Sequence, residues 1–261
     1  NYHIILMDQR GAGRSLPHAS LEANTTQHLI GDFEKLRSEL DISQWLLFGG
    51  SWGTTLALAY AQAHPQQVLG LILRGIFLGR QKDVDWIYEA GGASRMFIDN
   101  WAGFQRPLAH TNAESEGQMV NTYYQLLTGP DELKRMAAAK AWAGWEDSIA
   151  TLQPAQTSGG DYDGAHFDLV LARIECHYFV NDCFFEPNQL LNNMHKISHI
   201  PGIIVHGRYD MICPAEQAFE VYDLWPESQL HIVRDAGHSQ QESGIIDNLV
   251  KATREFALKY A

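Results

Sequence analysis

Gly49-Gly50-Ser51-Trp52-Gly53 has the form G-x-S-x-G, a pattern that lifts a serine hydroxyl out of a sharp strand-to-helix turn. Its flanks are those the turn requires: apolar Trp45 to Phe48 before it, and small-residue Thr54 to Ala63 after it. In that setting Ser51 is a candidate nucleophile, and the Trp52 N–H at the start of the helix is a candidate donor to a developing oxyanion. Asp210 follows the apolar run Ile203 to His206 after the short Gly207-Arg208-Tyr209 turn. His238 lies in Asp235-Ala236-Gly237-His238-Ser239, just beyond the apolar-periodic run Gln229 to Val233. Both therefore fall at the carboxyl ends of expected strands, where catalytic groups gather in parallel sheets. The chain order Ser, Asp, His matches one of the three common serine-triad orders and points to acyl transfer with His238 as base and Asp210 as its orienting acid. A helix N-cap for Asp210 and a structural turn for His238 are the plainer alternatives.

Other residues carry weaker signals. His206 reads as a packing or hydrogen-bonding histidine rather than a second base. Gly11-Ala12-Gly13 is followed by Arg14-Ser15-Leu16 and so lacks the G-x-G-x-x-G spacing of a dinucleotide site. No Walker A run is present, and Cys176, Cys183 and Cys213 have no CxxC spacing, so no cofactor and no metal are expected. Glu146 follows Trp142 and Trp145, and Glu175 sits within Leu171 to Phe179. Carboxylates among such neighbours need a positive or hydrogen-bonding partner. Arg173 is one choice; a substrate ammonium gripped by both glutamates is the other.

The elements that must hold these residues alternate in type. Strands are expected near 3–7, 44–48, 68–73, 202–206 and 229–233, with helices over 26–40, 54–63, 214–222 and 245–260. That rhythm calls for a parallel sheet covered on both faces. From about Phe77 to Ile197 the strand pattern is absent, and the stretch reads as an inserted set of helices, broken by a glycine-rich loop over Gly159 to Gly164.

Composition sets the bounds. A chain of 261 residues with 45% hydrophobic content buries one large core, or one core and a satellite. A formal charge of -12 argues against nucleic acid or an anionic membrane as partner and suits a cationic substrate. Three cysteines and no apolar run of membrane-spanning length suggest a reducing, cytoplasmic home. The sequon Asn24-Thr25-Thr26 would matter only in a secreted protein.

Taken together, Asp8-Gln9-Arg10-Gly11-Ala12-Gly13-Arg14-Ser15, Gly49 to Gly53, Trp142-Ala143-Gly144-Trp145-Glu146, Arg173-Ile174-Glu175 and His206-Gly207-Arg208-Tyr209-Asp210 closely resemble the proline iminopeptidases, or prolyl aminopeptidases. The resemblance implies an α/β-hydrolase fold with a mostly parallel sheet and an inserted helical cap: core over 1–76, cap over 77–198, core again over 199–261. It implies a metal-independent serine exopeptidase that takes short peptides with an N-terminal proline. Under it, Ser51, Asp210 and His238 form the triad, Glu146 and Glu175 bind the substrate amino group, and Phe77 and Cys213 line the proline pocket. A further aromatic pocket position falls at Ile87 or Tyr88. The family's His-Gly-Gly-Pro-Gly loop, which supplies a second oxyanion donor, does not occur in these residues. A longer natural protein is therefore expected, and N-terminal strands and the oxyanion loop are expected to be missing from the chain as given, whose own activity is in question. The rival readings are a capped esterase or amidase for another small acyl group, and a non-catalytic binding protein built on the same shell.

Overall fold

The computed structural model describes residues 2–109, 111, 113, 117–153 and 164–260. Of the glycine-rich stretch expected over 159–164, residues 159–163 lie outside them, and Gly164 opens a helix.

The contacts divide the chain into two units. The first holds residues 26–79 and 185–261, together with the N-terminal stretch before residue 7. In it α1 (Thr26–Glu39) leads to β1 (Trp45–Ser51), α2 (Trp52–Ala63) and β2 (Val68–Ile76). Among the described residues four strands lie side by side in chain order, every neighbouring pair parallel, with β3 (Gly202–Gly207) and β4 (Ser228–Val233) completing the series. β2 and β3 are almost wholly buried, which is why their sequences are continuous apolar runs, whereas β4 at the edge has alternating exposure.

Side chains on alternate positions feed two cores. Leu71, Leu73 and Ile204 pack on one face with Leu58, Tyr60, Val221 and Trp225. Ile72, Ile203 and Val205 pack on the other with Ile245, Leu249 and Phe256 of the C-terminal helix Ser243–Lys259. Two strand glycines mark the closest approaches. A Cβ at Gly70 would lie 2.2 Å from the Phe256 ring, and one at Gly202 would lie 2.3 Å from the Trp225 ring. Leu190, Met194 and Ile197 also join the first core, so residues 185–198, expected with the inserted helices, group with the sheet.

The strand expected over 3–7 does not form. Ile4 and Leu6 are 73% and 91% exposed, and among the described residues β1 makes its ladder with β2 alone. An apolar run without a ladder partner leaves its backbone to water, and hydrophobic pattern by itself supplies no pairing.

The second unit comprises Met7–Thr25 and Arg80–Phe184. Its helices are α3 (Gln81–Tyr88), α4 (Ile98–Gln105), α5 (Met119–Thr128), α6 (Glu132–Ile149) and α7 (Gly164–Phe179). Asp131 caps α6 by accepting from the Lys134 N–H at 3.1 Å. The core is aromatic: Tyr88 stacks on Trp142 at 4.0 Å, Phe104 stacks on Tyr123 at 4.7 Å, and Trp101 meets Trp145 edge-on at 4.9 Å. Asn24 ties the Met7–Thr25 segment to α7. Its amide donates to the carbonyls of Arg10 and Ser20, its oxygen accepts from the Tyr178 hydroxyl, and its own carbonyl meets the His177 ring. The sequon asparagine is thus buried with its amide already engaged.

Candidate active site

The nucleophile turn comes directly from the junction of β1 and α2. Ser51 is the last residue of the strand and the N-cap of the helix, at φ 55 and ψ -123, a left-handed conformation that costs free energy in a non-glycine residue. The glycines around it have distinct tasks. A Cβ on Gly49 would come within 2.3 Å of the Gly53 carbonyl oxygen, so strand end and helix start approach only because Gly49 has none. Gly50 is needed for a different neighbour, since its Cβ would lie 2.4 Å from the Arg74 guanidinium. A Cβ on Gly53 would meet open space. Thr54 Oγ1 donates to the Ser51 carbonyl at 2.7 Å and accepts from the Phe77 N–H at 3.0 Å, while Thr55 Oγ1 donates to the Phe77 carbonyl. Phe77 is buried and fixed by the same helix that carries the serine turn. Trp52 is the first residue of α2, where the helix concentrates partial positive charge.

Asp210 and His238 meet as their strand-end positions predict. His238 Nδ1 lies 2.8 Å from Asp210 Oδ2, and Asp210 Oδ1 accepts from the N–H groups of Ile212 at 3.1 Å and Cys213 at 2.7 Å. Burial alone would raise the Asp210 carboxyl, but the two neighbouring histidines and these hydrogen bonds hold it below the usual carboxylate range. Gly75, at φ 61, lets the pair lie close, since a Cβ there would sit 3.0 Å from the His238 ring and 3.3 Å from Asp210 Oδ2.

Sequence reasoning missed Arg74. Its Nη1 donates to His238 Nε2 at 3.0 Å and to the His238 carbonyl at 2.9 Å, and among the described residues no hydrogen bond joins Nε2 to Ser51 Oγ. A guanidinium only donates, so Nε2 is an acceptor and the His238 proton is on Nδ1, facing Asp210. Burial lowers the Arg74 proton affinity, opposed by the charges of Asp210 and Cys213. The clue was available: a lone arginine in the otherwise apolar run Val68 to Ile76 must find a polar partner.

Asp210, Cys213 and His238 bring potential metal-ligand atoms within 4.8 Å of one another. Both carboxylate oxygens and the Nδ1 proton are already engaged in the hydrogen bonds above, so this trio reads as an acid–base pair with a thiol beside it.

In the helical unit Glu146 and Glu175 are neighbours, each oriented by an aromatic donor. The Tyr88 hydroxyl donates to Glu146 Oε1, and Trp142 Nε1 donates to Glu175 Oε2 at 2.8 Å. Tyr88 and Trp142 are themselves the stacked pair of the core. Of the two sequence positions considered for the next aromatic, Tyr88 reaches the glutamate, whereas Ile87 offers its carbonyl to Trp145 Nε1 at 2.9 Å. Arg173, the internal partner considered from sequence, makes no ion pair with Glu175 among the described residues, and its buried Nε lacks a hydrogen bond. Burial, and then the charge of Glu146, pushes the Glu175 carboxyl well up.

Residues 1–245 match the family described as alpha/beta hydrolase fold. A proline iminopeptidase of Xylella fastidiosa is 48% identical over 256 residues, covering 98% of this chain and 80% of that protein. One from Arabidopsis thaliana is 50% identical over 255 residues, covering 97% of this chain and 66% of its own length. Among solved structures, an esterase from Exiguobacterium antarcticum superposes with a TM-score of 0.57 at 17% identity, covering 95% of this chain and 79% of that one, a likeness of fold alone. No helix among the described residues is long and apolar enough to cross a membrane.

Proposed function

This chain belongs to the proline iminopeptidase family of α/β-hydrolase serine peptidases, and on that footing we propose that it releases N-terminal proline from short peptides through a prolyl-Ser51 ester. The observation that carries the exopeptidase reading is the Glu146–Glu175 pair: two adjacent carboxyls with aromatic donors and, among the described residues, no cationic partner. Two such carboxyls suit a cationic group, and the charged amino terminus of a peptide fits.

In this reading the proline nitrogen docks on Glu146 and Glu175, and Phe77 and Cys213 contribute to the wall around the ring. Nδ1-protonated His238 is the tautomer a general base needs, because Nε2 presents a lone pair. Arg74 withdraws from Nε2, since two donors cannot share that site once the Ser51 proton arrives. Ser51 attacks the prolyl carbonyl, Asp210 stabilises the imidazolium, and the Trp52 N–H takes one hydrogen bond of the oxyanion. Imidazolium then protonates the leaving amine, and water resolves the ester through the same base. The chemistry asks for no metal or organic cofactor, and the proposed setting is the cytoplasm with short peptides as partners rather than nucleic acid or membrane.

The test is covalent. A serine-reactive phosphonate should label the full-length protein stoichiometrically, with the adduct mapped to Ser51 and free prolinamide slowing the reaction. A folded protein that neither takes the label nor cleaves a prolyl amide would return weight to the non-catalytic reading.

A further inference from the structure

The acid of the proposed triad has a second imidazole beside it. His206, the penultimate residue of β3, is fully buried, and its Nε2 lies 3.4 Å from Asp210 Oδ2, the same oxygen that accepts from His238. Its tautomer is set by its neighbours. Nδ1 receives the Ile76 N–H at 3.2 Å and is therefore an acceptor, so the proton is on Nε2, which donates to the Cys213 carbonyl at 2.8 Å. With its lone pair and its proton both engaged, His206 has nothing left for proton transfer to substrate.

We propose that His206 is a positioning residue for the acid–base pair, holding the Asp210 carboxylate against His238 through the peptide unit of Cys213 and the end of β2. The inference rests on the triad reading of Ser51, Asp210 and His238. Cys213 is gripped at both ends: its N–H holds Asp210 Oδ1, and its carbonyl is held by His206. On the other side His206 anchors Ile76, the residue after Gly75, on whose bare Cα the His238 ring rests. One side chain thus ties the 210–213 turn to the strand end that supports the base. A histidine suits the task because two ring nitrogens on opposite edges of a rigid plane serve one acceptor and one donor. Burial lowers its proton affinity and keeps it neutral, so it adds no charge that would compete with the His238 imidazolium for Asp210.

The charged and titratable groups around His238 are Asp210, Arg74 on β2, His206 on β3, Cys213 in the following turn, and Glu242, which accepts from the Gly237 N–H. If His206 positions Asp210, its loss weakens the pairing of Asp210 with imidazolium. The acid limb of kcat/KM then moves to lower pH as the rate falls.

The experiment compares H206F, H206N and H206Q with the parent in the full-length protein, reading kcat, KM and the pH profile on a prolyl amide, with folded fraction from circular dichroism. H206F should lose about 10- to 100-fold in kcat, the cost of a misplaced catalytic group, with KM little changed and the acid limb displaced downward. Gln, whose amide reaches the place of Nε2, should restore most of both readouts; Asn, which reaches only the place of Nδ1, should not. Should H206F fail to fold, the Gln and Asn pair decides the matter alone. A lower melting temperature with parental kcat per folded molecule and an unmoved limb would overturn the proposal, as would equal behaviour of Asn and Gln. An inactive parent would sink the triad reading itself.

Discussion

Ser51, Asp210 and His238 differ in how much of the role proposed for them shows in their own surroundings. Asp210 is the clearest, with three hydrogen bonds and a carboxyl held low, so D210N should leave the fold intact and reduce kcat by about 10⁴-fold through the wrong His238 tautomer. Steady-state kinetics on a prolyl amide checks it. For the proposed amino-group site, E175Q should lower kcat/KM roughly 10- to 100-fold, since charge-assisted hydrogen bonds contribute about 1.5–3 kcal/mol. The sign of its pH dependence follows from burial and the charge of Glu146, which favour the protonated form of Glu175. A protonated Glu175 binds a cation poorly, so affinity for prolinamide should fall as pH is lowered, and calorimetric titration against pH reads it. The three residues of the proposed triad stood out in the sequence because each closely follows an apolar run. Arg74 and Tyr88 were harder, because a hydrogen bond between residues far apart in the chain leaves no periodic trace.

The elements carry their own tests. The β1–α2 turn depends on the missing Cβ of Gly49, so G49A should push the helix start off the strand end and abolish phosphonate labelling of Ser51, whereas G53A should be tolerated. The C-terminal helix presses Phe256 onto Gly70, and F256A should cost about 3–5 kcal/mol in urea unfolding. Glu34 ties α1 to α2 through Arg37 and the Tyr60 hydroxyl. Chiefly the Arg37 hydrogen bond, against the opposing effect of burial, lowers the Glu34 carboxyl to about 2 from 4.5. Its folded-state value lies below the unfolded one, so its stabilisation is present above pH 4.5 and is lost as pH falls toward 2. Because the pair is partly exposed, E34Q should cost only about 1 kcal/mol at neutral pH, with the difference closing in acid. Five of the six expected pieces flanking the triad, β1, α2, β2, β3 and β4, formed close to where periodicity placed them. The strand over 3–7 did not, because an apolar run specifies a buried face and its ladder partner must come from elsewhere in the fold.

The molecule as a whole carries a formal charge of -12, and the proposed substrates are cationic at their amino end. Their association should weaken with added salt while turnover of bound substrate does not. The expected course is a fall in kcat/KM with ionic strength at constant kcat. Composition foretold the sign of this field, but not how the chain groups into units. Residues 185–198 belong with the sheet because Leu190, Met194 and Ile197 pack there, a choice made by shape that no local pattern announces. The most direct measurement is cleavage by the full-length protein of three reporters: a prolyl amide, the same compound acetylated on its nitrogen, and an alanyl amide. Rapid cleavage of the first alone, lost in S51A, is the predicted result; equal cleavage of the free and acetylated compounds would contradict the amino-group clamp and leave a general amidase in its place.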